Sequence, residues 1–146
     1  MPGITFDTSV FIAYKPATFP AGFLLSAVVM QELAAGALDK SRLQQLDAAR
    51  RAYEKDGRLL VPTGEDWWIA GKVLNSLLRG LKSRRTGLTP KLPATENQRI
   101  IRAVLIARTA RRAGALLITD NVKDFKLIAR FCAARTMTGK RYFNQG

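Results

Sequence analysis

The run Ala115-Leu116-Leu117-Ile118 has no polar residue on either of its alternating faces, and it starts directly after Gly114, which closes a long helical stretch. A strand with no polar face must be covered on both sides. Sheets covered on both sides are the parallel sheets of α/β proteins, joined by crossover helices. The rest of the chain supplies what such a sheet requires. Short strands are expected at Ile4–Phe6, at 23–26 and at 58–62, the last ended by Pro62. Between them lie expected helices at Ala27–Ala35, closed by Gly36, and at 39–56, with Leu43, Leu46, Ala49, Ala52 and Tyr53 along one face. Further helices are expected at 63–81, with Trp67, Ala70, Val73, Leu74 and Leu77 inward, and from 94 or 96 to 113. Residues 125–133 read as helical or irregular, followed by a short tail. The expectation is one α/β domain over 1–146, a mainly parallel sheet with helices on both faces.

Asp7 stands where the first apolar strand gives way to Thr8 and Ser9. That is the carboxyl end of a strand, where open α/β sheets collect their ligands. No Lys or Arg is near it in sequence, so two readings remain open at this point. The carboxylate caps the following helix, or it meets a metal ion.

The chemistry available is narrowed by what is missing. There is no histidine, which removes Ser-His-Asp and Cys-His catalysis, two-histidine ribonuclease chemistry and ordinary zinc sites. Hydrolysis would have to run on carboxylates and a hard cation such as Mg2+ or Mn2+. The single cysteine, Cys132, excludes an internal disulfide and reads as core filler. No apolar run reaches transmembrane length and no signal-peptide pattern opens the chain, so a cytoplasmic protein is expected. The 24 Lys and Arg against 11 Asp and Glu give a net charge of +13, which points to a polyanionic partner, nucleic acid first. The basic stretch from 79 to 93, with Arg79, Lys82, Arg84, Arg85 and Lys91, is the expected RNA-facing segment, joined by Arg99 and Arg102 on the following helix. Trp67 and Trp68 are read as core or interface anchors in preference to base-stacking platforms.

Three blocks, in order, carry a resemblance. They are Phe6-Asp7-Thr8-Ser9-Val10-Phe11-Ile12, then Ser26-Ala27-Val28-Val29-Met30-Gln31-Glu32-Leu33, then Leu105-Ile106-Ala107-Arg108-Thr109-Ala110 leading into Gly114-Ala115-Leu116-Leu117-Ile118-Thr119-Asp120-Asn121-Val122-Lys123-Asp124-Phe125. Together they resemble PIN domains, specifically the VapC-type ribonuclease toxins of toxin–antitoxin pairs. The resemblance implies a PIN-like (Rossmann-like) fold, RNA cleavage dependent on Mg2+ or Mn2+, a VapB-like antitoxin and a homodimer. It places Asp7 and Glu32 at the first two metal-binding carboxylates, with Ser9 and Thr119 lining the pocket. The fourth, less regular acidic position falls after Thr119, where Asp120 is the catalytic candidate and Asn121 and Asp124 are pocket candidates.

The third carboxylate of the family falls on Ala103, which has no side-chain oxygen to offer a cation. The surrounding helix still follows the family pattern. The favoured reading is therefore an active endoribonuclease in which an Asp has been replaced, leaving this form inactive or weakened. The others are a natural variant and a catalytically inactive module that binds nucleic acid or antitoxin. Glu96, seven residues upstream on the same helix face, is expected to be about 10 Å away and too distant to substitute.

Overall fold

The computed structural model describes residues 3–80 and 94–144. Lys82, Arg84, Arg85 and Lys91 therefore lie outside the described residues, as does most of the basic stretch they belong to. In chain order the elements are β1 (Ile4–Phe6), α1 (Thr8–Ala13), a 3-10 turn at Pro16–Thr18, β2 (Leu25–Ser26), α2 (Ala27–Ala35), α3 (Lys40–Lys55) and β3 (Leu59–Leu60). They continue with α4 (Gly64–Gly80), α5 (Ala94–Arg112), β4 (Leu116–Ile118), α6 (Val122–Ile128), β5 (Thr136–Met137) and α7 (Gly139–Phe143).

All strand pairs are parallel. β1 pairs with β4 in the register Ile4–Leu116, Thr5–Leu117 and Phe6–Ile118, β4 pairs with β5, and β2 pairs with β3. A bridge between Thr5 and Leu24 joins the two ladders, giving the order β3-β2-β1-β4-β5. The chain reverses its direction of progress across the sheet between β1 and β4. The carboxyl ends of those two strands flank the crevice where this class of sheet binds ligands.

Alternation along β1 and β4 feeds two cores, and Leu25 of β2 joins Met30 and Leu46 in a smaller third one. Leu117 joins Val28, Val29, Ala70, Val73, Val104, Leu105 and Ile128 in a large cluster involving α2, α4, α5 and α6. Phe6 and Ile118 face the other side, against α1 and the C-terminal residues Tyr142 and Phe143, where Phe6 and Phe19 stack at 4.2 Å. In α3 only Leu46 is fully buried. Tyr53 packs on Phe23 at 5.2 Å, while Leu43 and Ala52 are exposed. Gly114 stops α5 at φ +66°, the left-handed conformation that lets the chain turn directly into β4.

Two expectations are corrected. The segment read only as a short tail carries two elements, since β5 extends the sheet and α7 caps the second core. Nor is Trp67 inward: it is 56% exposed and Trp68 70% exposed. The buried stripe of α4 runs through Asp66, Ala70 and Val73, with Leu77 half-buried. A helix advances about 100° per residue, so seating Asp66 rotates Trp67 out to solvent.

Candidate functional site

The carboxyl ends of β1 and β4 hold Asp7 and Thr119 one strand apart, and their side chains meet. Asp7 is 6% exposed. Its Oδ1 accepts from the Thr8 N–H at 2.8 Å, so the carboxylate does cap α1. Its Oδ2 accepts from the Thr119 hydroxyl at 2.7 Å and from the Ser9 hydroxyl at 3.3 Å. Each of those hydroxyls in turn accepts a backbone N–H from the loop after β4. Asp120 N donates to Ser9 Oγ at 3.2 Å and Asn121 N donates to Thr119 Oγ1 at 3.0 Å. With both hydroxyl protons directed at Asp7, three of its roughly four lone-pair positions are occupied, and one remains for a ligand.

Asp7 and Glu32 flank one cavity of about 430 Å3, lined also by Thr8, Ser9, Glu96, Arg99, Arg102, Ala103 and Asn121, with Ile12, Ile106 and Phe125. The short α2, capped at Ser26 beside β1, delivers Glu32 one and a half turns later. Burial pushes both carboxyls above the usual carboxylate range. For Asp7 the donors Thr119, Thr8 and Ser9 oppose this, and the charge of Asp124 adds to it. For Glu32 Arg102 opposes the rise, the charge of Asp7 adds to it, and the nearby Thr8 hydroxyl favours the ionised form. Thr8 Oγ1 is nevertheless buried without hydrogen-bond geometry to any partner among the described residues. The Arg102 Nη1 stands 3.7 Å from Glu32 Oε2.

The remaining candidates divide. Ala103 is buried and presents its methyl group to the cavity. Asn121 lines the cavity, and its Nδ2 donates to Asp124 Oδ2 at 2.8 Å. Asp124 is buried behind that contact and ion-paired with Arg99 at 3.0 Å. The structure does not bring Asp120 to the cavity lining: its side chain turns toward the start of α7, where Oδ1 accepts from the Gly139 N–H at 2.8 Å. Arg79 is exposed on the last turn of α4. Glu96, which helix rise alone set apart from Ala103, lines the same cavity. The face-sharing of i and i+7 was the signal for it.

Among the described residues, no three acidic, His or Cys side chains stand close enough together to hold a metal ion. What is present fits a cation that keeps most of its own water. Two carboxylates repel one another across the cavity, and an unpartnered hydroxyl lies beside them. Mg2+ commonly binds through only one or two carboxylates.

The sequence matches no protein-family model and no curated protein. Solved structures similar in fold include two VapBC complexes. One is that of VapBC-1 from nontypeable Haemophilus influenzae, at 19% identity over 92% of this chain and 96% of that one, with a TM-score of 0.53. The other is DNA-bound VapBC from Salmonella typhimurium, at 18% identity over 94% and 98%, with a TM-score of 0.55. The fold is thus an α/β, PIN-like one with a parallel sheet and flanking helices. Among the described residues, no helix is long and apolar enough to cross a membrane.

Proposed function

We propose that the chain is a VapC-type PIN-domain endoribonuclease, paired with a VapB-like antitoxin and acting as a homodimer, whose RNA cleavage is weakened by alanine at position 103. The observation that carries this reading is the meeting of Asp7 and Glu32, 25 residues apart in sequence (32 − 7), in one cavity edged by Arg99 and Arg102. The fold of the VapBC chains supports it, and the net charge of +13 suits RNA.

Asp7 and Glu32 would hold Mg2+ or Mn2+, which when bound lowers the pKa of a water and offsets charge building on a phosphate. The chain's own groups do the rest. Thr119, Ser9 and the Thr8 N–H keep Asp7 fixed and oriented, and they oppose the upward push of burial on its pKa. Arg102 and Arg99 place guanidinium groups at the cavity edge, where a scissile phosphate would be positioned.

A second reading is favoured by the Ala103 methyl and the two Arg–carboxylate pairs: a module of this fold that binds nucleic acid or antitoxin without cutting. Ala103→Asp separates the two. A third carboxylate beside Asp7 and Glu32 should tighten Mn2+ binding in calorimetry, make the melting temperature rise on adding Mn2+, and produce RNA cleavage that EDTA abolishes. A restored variant that neither binds Mn2+ more tightly nor cuts RNA leaves the non-cutting module as the function.

A further inference from the structure

Beside the acidic cavity lies a second groove of about 460 Å3 between α2, α4 and α5. Glu32 and Arg102 line both, so one guanidinium stands between them. The groove has an apolar floor from Ile101 and Leu105, the amides of Gln31 and Gln98 on exposed positions, and the Trp67 ring at its edge. We propose that this groove is a base-binding subsite for single-stranded RNA, with Trp67 as the stacking platform. The inference rests on the RNA reading above and deepens it.

Three features select a base as the occupant. Trp67 offers an indole face that nothing in the core requires, since Asp66 holds the inward position of that turn. Two amides carry both donors and acceptors, the groups that read the edge of an unpaired base. Arg102 joins the groove to the cavity where a phosphate would sit, so a nucleotide can engage both at once. Its Nε also donates to Gln98 O at 3.3 Å, which steadies the guanidinium against the groove wall. A second copy of the chain would instead have to bury the Glu32–Arg102 pair and both amides under an apolar face, at a desolvation cost that a base edge avoids.

Aromatic–base stacking is sequence-tolerant and reports directly on the indole. The chain has two tryptophans, so Trp68→Phe leaves Trp67 as the only one. That protein is titrated in EDTA with a short single-stranded RNA oligonucleotide and with its abasic counterpart. The expected result is quenching of Trp67 fluorescence by the RNA and little by the abasic strand. Trp67→Leu should weaken RNA binding about 5- to 100-fold, and Trp67→Phe should recover most of it. Equal affinity for both strands, or RNA affinity unchanged in Trp67→Leu, overturns the subsite. If Trp67→Leu leaves RNA affinity intact but splits an oligomer in light scattering, the groove belongs to a second copy. Failure of the broader reading looks different, because the parent protein would then bind neither strand.

Discussion

At the scale of single residues, the capping reading of Asp7 is observed, and the metal-binding reading belongs to the proposed function. One carboxylate oxygen caps α1 while the other is held by two hydroxyls at the cavity. The two roles separate by substitution. Asn caps a helix about as well as Asp, whereas Ala forfeits about 1 kcal/mol. Asp7→Asn should therefore abolish the cleavage gained by Ala103→Asp without lowering the melting temperature, and Asp7→Ala should lose both. Burial raises the pKa of Asp7 and of Glu32, so their protonated forms suit the fold better than their ionised forms. Stability from these two groups is full at acidic pH and is lost as pH rises through their raised values, and removing the charge does not harm the fold. Cation binding needs the ionised forms, so Mn2+ affinity should fall away on acidification at a higher pH than for ordinary carboxylates. A Mn2+ titration showing no loss until the usual carboxylate range would contradict the burial account. Asp120 is a contrasting residue, because its carboxylate holds the Gly139 N–H. Asp120→Ala should cost about 1 kcal/mol in urea unfolding and leave the Mn2+ affinity of the Ala103→Asp protein unchanged.

At the scale of elements, α4 and α5 are fastened by a buried charge. Asp66 is fully buried and meets Arg108 Nε at 2.8 Å and Arg112, one turn further along α5. It also closes a reciprocal cap with Thr63, whose N–H donates to Asp66 Oδ2 at 2.9 Å while Asp66 N donates to Thr63 Oγ1 at 3.2 Å. Burial pushes this carboxyl up, but Arg112, the Thr63 N–H and Arg108 together outweigh it and lower its pKa to about 2. The stabilisation is therefore complete above the ordinary value of 3.8 and is lost as pH falls toward 2, the reverse of Asp7. Asp66→Ala should destabilise by about 3 kcal/mol, at the lower end for broken buried pairs because both arginines can still reach water. A loss below about 1 kcal/mol in denaturant unfolding would show that the clamp is idle. The helix start at 63 was legible, but the arginine partners of Asp66 were not, since pairing across 42 and 46 residues leaves no local pattern. The same gap explains Trp67. Helical spacing admitted either residue to the inward stripe, and only the distant arginines decide that Asp66 takes it. Asp7 was legible because a strand end is a local signal, whereas Glu32, in the second turn of α2, was singled out only by the family resemblance. β5 and α7 were not, being short elements defined by what they pack against.

At the scale of the molecule, the charges do not act as a uniform positive surface. The net charge of +13 favours any polyanion, but the two arginines at the cavity are already engaged, Arg102 with Glu32 and Arg99 with Asp124. A phosphate arriving there competes with a carboxylate for each guanidinium. RNA affinity should fall steeply with salt, since each phosphate contact on a single strand contributes about 0.7 to the logarithmic slope. Arg79→Gln, on the exposed end of α4, should lower that slope by about this amount if the residue contacts a phosphate. Glu32→Gln should act in the opposite sense on two measurements. It removes a candidate metal ligand, so the cleavage restored by Ala103→Asp is lost. It also frees Arg102, so RNA affinity in EDTA rises about two- to five-fold, the range of one partly exposed ion pair. A general electrostatic attraction would give some increase as well, but it would do so equally for Glu54→Gln on α3, whose carboxylate pairs with Arg50 away from the cavity. A gain confined to Glu32→Gln locates the phosphate at Arg102. Equal gains from both substitutions would mean that RNA is drawn to the net charge and that the cavity does not choose where it lands.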